Sequence, residues 1–157
     1  DFFDDKATYL EEFPRVVYTG MIDQFFDYKF GELEYRSLRF ESEVLPTDNA
    51  QGNAVINYTD AETPYTRVME WRHFDQKGDD NVSILTREYP QVWDRSKEAY
   101  YPVNDEKNST LFKQYRSEAK QLDKVIMGGR LGNYQYYDMD QVFNAALGAV
   151  EKEFQQD

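Results

Sequence analysis

Residues 128–139 read Gly128-Gly129-Arg130-Leu131-Gly132-Asn133-Tyr134-Gln135-Tyr136-Tyr137-Asp138-Met139. The stretch follows a short apolar run, residues 124–127, and precedes an amphipathic segment, which predicts a strand, a turn and a helix. Near the start of the chain, residues 15–20 predict a second short strand that ends at Gly20, and residues 21–28 predict a short amphipathic helix. Both ends of the chain are therefore typical of α/β layering.

The glycines of this stretch allow two interpretations. Without a Cβ, Gly128, Gly129 and Gly132 let a flat cofactor or a phosphate approach the backbone closely. The N–H groups of the helix that begins after Asp138 can donate to an electron-rich oxygen, and Arg130 adds a positive charge. The alternative is an ordinary strand-turn-helix connection in which the glycines serve the turn. The residues leave both interpretations open.

The predicted C-terminal helix covers residues 138–154. Asp138 and Gln141 have the spacing of a capping box. One apolar stripe is expected to pack on a sheet, and its members are Val142, Ala145, Ala146, Ala149, Val150 and Phe154. An earlier helix is predicted from about residue 105 to residue 122, because its apolar residues fall on one helical face.

The middle of the chain predicts four β-strands, over residues 33–44, 53–58, 66–74 and 82–89. Turn-rich stretches separate them, at residues 46–49, 60–64 and 76–80. Alternating strands with such turns are typical of an antiparallel meander. The sequence therefore predicts an α+β fold.

Composition excludes several classes of protein. The chain has 157 residues, a net charge of −12, no Cys and a single His, His73. The acidic balance argues against a nucleic-acid binder or an anionic-membrane binder, and no apolar run is long enough to span a membrane. Disulfides, thiol chemistry and multi-His metal sites are also excluded, so no metal site is predicted. With 13 Tyr, 11 Phe and 2 Trp, the core is expected to consist of rings more than aliphatic chains.

Five arginines lie on the predicted strands: Arg36, Arg39, Arg67, Arg72 and Arg87. In so acidic a chain we expect most of them to pair with glutamates on neighbouring strands. Arg67 stands out because it alternates in phase with Trp71, and an Arg beside an aromatic ring suits a phosphate and a stacked ring. Tyr100 and Tyr101, just before Pro102, predict either a plain connector or hydroxyl donors to a phosphate or a sugar.

Seven segments together resemble a known family. They are residues 17–20, 26–28, 33–38, 53–60, 64–67, 102–104 and 128–139, reading VYTG, FDY, LEYRSL, NAVINYTD, PYTR, PVN and GGRLGNYQYYDM. In this order they are similar to the C-terminal part of bacterial UDP-galactopyranose mutase. The resemblance covers nearly all of the chain.

The resemblance implies an isomerase that interconverts UDP-galactopyranose and UDP-galactofuranose for cell-wall and polysaccharide biosynthesis. In that family reduced FAD is the covalent catalyst. Flavin N5 attacks the anomeric carbon and displaces UDP, and the sugar ring then opens and recloses as a furanose. The resemblance also implies a cytoplasmic enzyme, homodimeric when complete, that has no nucleic-acid or membrane partner.

The family's functional residues carry over to matching positions. Those implied to be catalytic are Arg67, Arg130 and Asp138, and those implied to contact UDP-galactose are Asn57, Arg67, Tyr101 and Tyr136. Cofactor contacts are implied for Arg36, Arg130, Tyr137, Asp138, Met139, Asp140, Gln141 and Val142.

The chain also departs from the family. The Gly-x-Gly-x-x-Gly dinucleotide fingerprint is missing, and residues 128–132 are a different element that cannot replace it. We therefore expect an α+β fragment, made of the antiparallel substrate-side sheet plus the closing strand and C-terminal helix of a Rossmann-like FAD-binding domain. Its parts would be residues 1–20 (FAD-binding domain), 21–104 (sheet) and 105–157 (return to the FAD-binding domain).

The expected fragment lacks the adenosine site and half of the substrate site, so it should be inactive alone. The alternative hypothesis is a non-catalytic module that binds a nucleotide sugar or a carbohydrate on its aromatic sheet face.

Overall fold

The computed structural model describes residues 1–74 and 81–155, which form a small α+β fold with an antiparallel sheet and a parallel strand pair. Two compact units are present: Asp1–Arg36 with Ala99–Asp157, and Ser37–Glu98. The turn predicted at residues 76–80 lies outside the described residues.

In chain order the elements are a 3-10 turn Phe2–Asp4, α1 (Lys6–Glu12), β1 (Val16–Tyr18), α2 (Ile22–Phe25), β2 (Tyr35–Leu45), β3 (Val55–Asn57), β4 (Arg67–Glu70), a 3-10 turn Trp71–His73, β5 (Ser83–Val92), β6 (Tyr101–Pro102), α3 (Glu106–Ala119), β7 (Val125–Met127), α4 (Gly129–Gly132) and α5 (Met139–Phe154).

The first unit is built on the parallel pair of β1 and β7. Val16 lies opposite Val125 and Tyr18 lies opposite Met127, so the two predicted end strands are confirmed and adjacent. A parallel pair needs a long crossover connection. Here the chain between the two strands includes the whole second unit and α3.

Aromatic rings fill the core of this unit, as the composition predicts. Tyr18, Phe25 and Val125 form the buried cluster, and Phe2, Phe3, Leu10, Phe26, Leu122 and Met127 pack against it. The ring centroids of Tyr18 and Phe25 are 5.0 Å apart, within the range of favourable aromatic pairs. The Tyr18 hydroxyl donates to the Met21 carbonyl oxygen at 3.2 Å, so the ring is buried without leaving its polar end unpaired.

A buried carboxylate organises the start of β2. Asp23 has no exposed surface, and it accepts hydrogen bonds from the Leu33 N–H at 2.9 Å and the Tyr35 hydroxyl at 2.6 Å. Burial raises the pKa of the Asp23 carboxyl, although these two hydrogen bonds oppose the shift. The short helix α2 and the start of β2 are thereby joined through one side chain.

The second unit is an antiparallel sheet in which the strands follow the order β3-β4-β5-β2. All four predicted strands are present. The third is shorter than predicted: it ends at Glu70, and residues 71–73 form a 3-10 turn in place of the strand predicted to Phe74. Val68 lies opposite Ile56 on one side and Arg87 on the other, which places it at the centre of the sheet and buries it.

Glu70 explains where β4 ends. Its fully buried carboxylate accepts hydrogen bonds from the backbone N–H groups of Ala50 (2.8 Å) and Gln51 (2.9 Å), from the Ser83 hydroxyl, and contacts His73 Nε2 at 3.2 Å. Burial alone would raise the pKa of Glu70, but the hydrogen bonds and His73 outweigh it and lower the pKa to about 2. The carboxylate thus binds a loop, a strand and the turn that follows β4.

Helix α5 starts at Met139, and the predicted capping box of Asp138 and Gln141 is present. The predicted apolar stripe is partly wrong. Val142, Ala145 and Ala149 are half-buried, but Ala146, Val150 and Phe154 are exposed. Helix α5 packs against the short helix α4, and only a narrow strip of its surface is covered. No helix among the described residues is long and apolar enough to cross a membrane.

Gly132→Ala is expected to destabilise the first unit by roughly 1–3 kcal/mol, because its Cβ would lie 2.9 Å from the Tyr18 carbonyl oxygen. Gly148→Ala is the matched control: nothing lies within 4 Å of its Cβ, and the helix should gain roughly 1 kcal/mol. Urea unfolding of both variants measures the difference. Equal free energies of unfolding would contradict the close approach.

Glu70→Gln is expected to destabilise the protein by roughly 1–3 kcal/mol at pH 7, because an amide NH₂ would face backbone donors. The pKa of Glu70 is about 2 in the folded chain, against 4.5 as its ordinary value. Its stabilising contribution is therefore complete above pH 4.5 and is lost as pH falls toward 2. Unfolding free energies of both proteins across this range should converge at the acidic end, and a constant gap would refute the assignment.

Candidate functional site

Arg130 packs beside two neighbouring tyrosine rings in the first unit. Its guanidinium carbon is 5.2 Å from the ring centroid of Tyr101 and 5.4 Å from that of Tyr136, and the two rings are 5.3 Å apart. Both distances to the guanidinium are within cation–π range. Arg130 Nε donates to the Tyr137 carbonyl oxygen at 2.7 Å, which fixes the plane of the guanidinium. Residues from two separate motifs, one at Tyr101 and one at residues 128–139, are thus brought together.

Arg36 belongs to the same neighbourhood. It lies directly opposite Tyr101 where β2 pairs with β6, so the two side chains are on one face of the strand pair. Tyr101 is half-buried and Arg36 is exposed. Tyr101, Tyr136, Arg130 and Arg36 form what we call the tyrosine–arginine cluster: two cations and two phenol hydroxyls, a set of donors that suits an anionic ligand.

The glycines of the glycine-rich turn allow the turn to pack closely against the neighbouring chain. A Cβ on Gly129 would lie 3.3 Å from the Thr19 Cβ, and one on Gly132 would meet the Tyr18 carbonyl oxygen. Gly129 also has a φ of +68°, which favours glycine. Of the two interpretations of these glycines, the structure supports close packing of the turn against β1 and the residues that follow it.

The predicted cofactor residues cluster around the start of α5. A cavity of about 330 Å³ is lined by Gln135, Tyr136, Tyr137, Gln141, Asn144 and Ala145. The Gln141 side chain accepts from the Asp138 N–H at 2.9 Å. Val142 is half-buried, whereas Asp138, Met139 and Asp140 are exposed, with Met139 at 78 %. The amides and hydroxyls around the cavity could bind carbonyl oxygens or the hydroxyls of a polyol chain.

Arg67 and Asn57 lie together in the second unit. They are opposite each other where β3 pairs with β4, and Arg67 Nε donates to Asn57 Oδ1 at 3.0 Å. Arg67 Nη1 is 3.8 Å from Glu88 Oε2 on the neighbouring strand β5. The Thr66 hydroxyl also donates to Glu88 Oε1, at 3.1 Å. Arg67 therefore has an internal carboxylate partner as well as an exposed side.

The expectation that arginines pair with glutamates of neighbouring strands is confirmed for Arg67 and Arg87. Arg87 Nη2 lies 2.6 Å from Glu43 Oε1. Arg39 instead pairs with Glu41 of its own strand and stacks on the Tyr89 ring, 4.0 Å from the centroid.

The comparisons with known proteins show the family of the chain. Residues 1–136 match the family described as UDP-galactopyranose mutase (GLF). The chain belongs to this family. Among its curated relatives are a "dTDP-fucopyranose mutase" of Escherichia coli, 36 % identical over 141 residues that make up 90 % of this chain and 37 % of that protein, and a "UDP-galactopyranose mutase" of Mycoplasma pneumoniae, 38 % identical over 142 residues, 87 % of this chain and 35 % of the relative.

A "Probable UDP-galactopyranose mutase" of Klebsiella pneumoniae is 34 % identical over 142 residues, 90 % of this chain and 37 % of the relative. The chain thus spans little more than a third of the length of the curated relatives it matches. Membership of the UDP-galactopyranose mutase family confirms the resemblance that the seven sequence segments indicate.

Sequence reasoning about this mutase-family chain missed two residues beside the candidate site. Tyr134, which lies between the predicted Arg130 and Tyr136 in the sequence, is buried, and Glu88 pairs with Arg67. A dense run of tyrosines is visible in the sequence, but which ring points inward depends on the backbone, and Tyr134 has a φ of +45°. The pairing of Glu88 with Arg67 depends on the strand register, which the sequence does not specify.

Glu88→Gln is expected to raise the affinity of the second unit for an anion. Removing the carboxylate releases Arg67 from a competing charge, while the amide oxygen can still accept from Thr66. Pyrophosphate is the probe, and its dissociation constant at low ionic strength should fall about two- to fivefold. Glu43→Gln, which changes the partner of Arg87, is the control. An equal effect in both variants would show general charge repulsion and no role for Arg67.

Proposed function

We propose that this chain is the substrate-side part of a UDP-galactopyranose mutase, which interconverts UDP-galactopyranose and UDP-galactofuranose. The observation that carries the proposal is the tyrosine–arginine cluster. Residues from two distant segments, Tyr101 on one and Arg130 and Tyr136 on the other, meet within 5.2 to 5.4 Å of one another, and each is matched to a substrate or cofactor contact by resemblance. A cluster of two cations and two hydroxyls suits the diphosphate of a nucleotide sugar.

The chain's own residues have two tasks in this proposal. Tyr101 and Tyr136 donate to the diphosphate, and Arg130 offsets the charge that develops as the sugar–phosphate bond breaks. Only Nε of Arg130 makes a hydrogen bond among the described residues, so its terminal nitrogens can donate to a ligand. In the second unit, Arg67 and Asn57 bind the same class of ligand, with Arg67 exchanging part of its contact with Glu88 for phosphate.

The proposed cofactor is FAD, active in its reduced form. The cavity at the start of α5 fits a flavin in its donor set, which consists of the Gln141 and Asn144 amides and the Tyr137 hydroxyl. When bound, the reduced flavin would supply N5 as the nucleophile toward the anomeric carbon. Asp138, at the N-cap of α5, would hold the helix start in place beside it.

Several further points are part of the proposal. Four of them stay predictions: the Rossmann-like character of the first unit, the domain limits at residues 20 and 104, a homodimeric state and a cytoplasmic location. So does inactivity of the 157-residue chain by itself. Its support is that the chain spans 37 % of the length of the Escherichia coli relative.

A second candidate substrate comes from the name of that relative. The Escherichia coli protein is called a dTDP-fucopyranose mutase and is about as similar to this chain as the UDP-galactopyranose mutases are. Both substrates contain a pyrimidine nucleoside diphosphate and a hexopyranose. The residues proposed above to bind the diphosphate would serve either substrate, because the diphosphate is common to both.

Isothermal titration calorimetry with UDP, dTDP and FAD tests the proposal on the 157-residue chain. We expect UDP binding, and we expect Arg67→Ala to weaken it by at least about tenfold, because charged hydrogen bonds to a phosphate are lost. Arg39→Ala is the matched control, since Arg39 pairs with Glu41 and has no proposed ligand contact.

Each outcome separates the hypotheses. Equal UDP affinity of the Arg67→Ala variant and the original chain would refute the role of Arg67. UDP binding that is indifferent to both FAD and Arg67 would favour a simple binding module. Turnover of UDP-galactofuranose with reduced FAD by the chain alone would refute the expected inactivity.

A further inference from the structure

We infer that Tyr134 is a positioning residue that sets the geometry of the tyrosine–arginine cluster. Nothing in the family resemblance assigns it a role. The relevance of the inference to substrate binding rests on the proposed function, whereas the geometry itself does not.

The Tyr134 hydroxyl joins two strands to the glycine-rich turn. It donates to the Glu34 carbonyl oxygen at 2.6 Å, with the Val103 carbonyl oxygen 3.1 Å away, and it accepts from the Val103 N–H at 3.2 Å. Burial raises the pKa of Tyr134 well above its usual range, so the hydroxyl keeps its proton at any ordinary pH. One phenol therefore holds the backbone before β2 and the backbone after β6.

The ring of Tyr134 is fixed as firmly as the hydroxyl. It packs edge-on against Tyr35, with centroids 5.4 Å apart, and against Phe112 at 5.5 Å. Only 4 % of the residue is exposed. Its φ of +45° lies in the left-handed region that bulky residues rarely adopt, so the surrounding contacts must hold the backbone there.

Each of the three segments that Tyr134 joins contains a residue of the tyrosine–arginine cluster, close in sequence to the contact with Tyr134. Arg36 is two residues beyond Glu34, Tyr101 is two residues before Val103, and Tyr136 is two residues beyond Tyr134 itself. A shift of any one segment would separate the two rings from Arg130. Backbone hydrogen bonds from the Val103 N–H to the Glu34 carbonyl oxygen and from the Tyr100 N–H to the Arg36 carbonyl oxygen, both 3.0 Å, already align β2 with β6. The cluster contacts, which are only rings and a cation on a half-exposed surface, are too weak to hold the glycine-rich turn against this strand pair unaided.

A purely structural tyrosine is available for comparison in the same unit. Tyr115 is fully buried, its hydroxyl donates to the Gly31 carbonyl oxygen at 2.6 Å and accepts from the Phe30 N–H at 3.1 Å. Its bonds hold the turn before β2 and touch no segment that carries the cluster. Tyr115→Phe and Tyr134→Phe thus remove equivalent hydroxyls.

The test compares these two variants of the 157-residue chain by NMR. The Arg130 δ-methylene and Nε–H resonances report ring currents from Tyr101 and Tyr136. In Tyr134→Phe they should move toward random-coil positions, while in Tyr115→Phe they should stay in place, although both variants lose a few degrees of melting temperature. UDP titration should show an affinity about five- to tenfold weaker for Tyr134→Phe and within twofold of the original for Tyr115→Phe.

The UDP titration and the Arg130 resonances test different claims. If the original chain does not bind UDP, the proposal that its residues bind the diphosphate without the rest of the protein is refuted, and the Arg130 resonances still decide the role of Tyr134. Unshifted resonances in Tyr134→Phe, or equal shifts in both variants, would overturn the inference. Should Tyr134→Phe not fold, Phe112→Leu loosens the same ring and keeps the hydroxyl; a smaller shift of the Arg130 resonances supports the inference, and no shift overturns it.

Discussion

The close approach of the glycine-rich turn to strand β1 is the constraint on which the first unit depends. Parallel pairing brings Met127 beside Tyr18, and the Gly128 N–H then donates to the Tyr18 carbonyl oxygen at 2.9 Å. Gly132 follows within contact of the same carbonyl, where no other residue fits without a shift. The direction in which the chain leaves this contact determines where Arg130 and the start of α5 lie.

Two buried carboxylates play comparable structural parts in the two units, but their environments differ. For Asp23, burial outweighs the hydrogen bonds and raises the pKa, whereas for Glu70 the hydrogen bonds and His73 outweigh burial and lower the pKa to about 2. The balance between burial and the contacts to the charged form decides the direction of each shift. Both carboxylates are engaged in hydrogen bonds that stabilise the fold, which is consistent with the proposal that the nucleophile comes from a cofactor.

The two proposed ligand arginines are held in different ways. Arg130 is flanked by neutral rings and oriented by a backbone carbonyl, so a phosphate meets no competing carboxylate among its described contacts. Arg67 is shared between an amide and the carboxylate of Glu88. An anion that binds Arg67 must therefore compete with Glu88 for the guanidinium. Arg130 has no such competitor among its described contacts and is a preorganised donor.

From the sequence alone, periodicity and glycine placement determined both parallel strands, the four central strands, α3 and α5, because these patterns depend only on neighbours along the chain. The Arg and Tyr candidates were also visible there. Only the tertiary structure decided that β4 ends at Glu70, that Phe154 faces outward, and that Tyr134 points inward to join three segments. Each of these depends on a buried polar contact or a packing partner distant in the chain, which local sequence patterns do not encode.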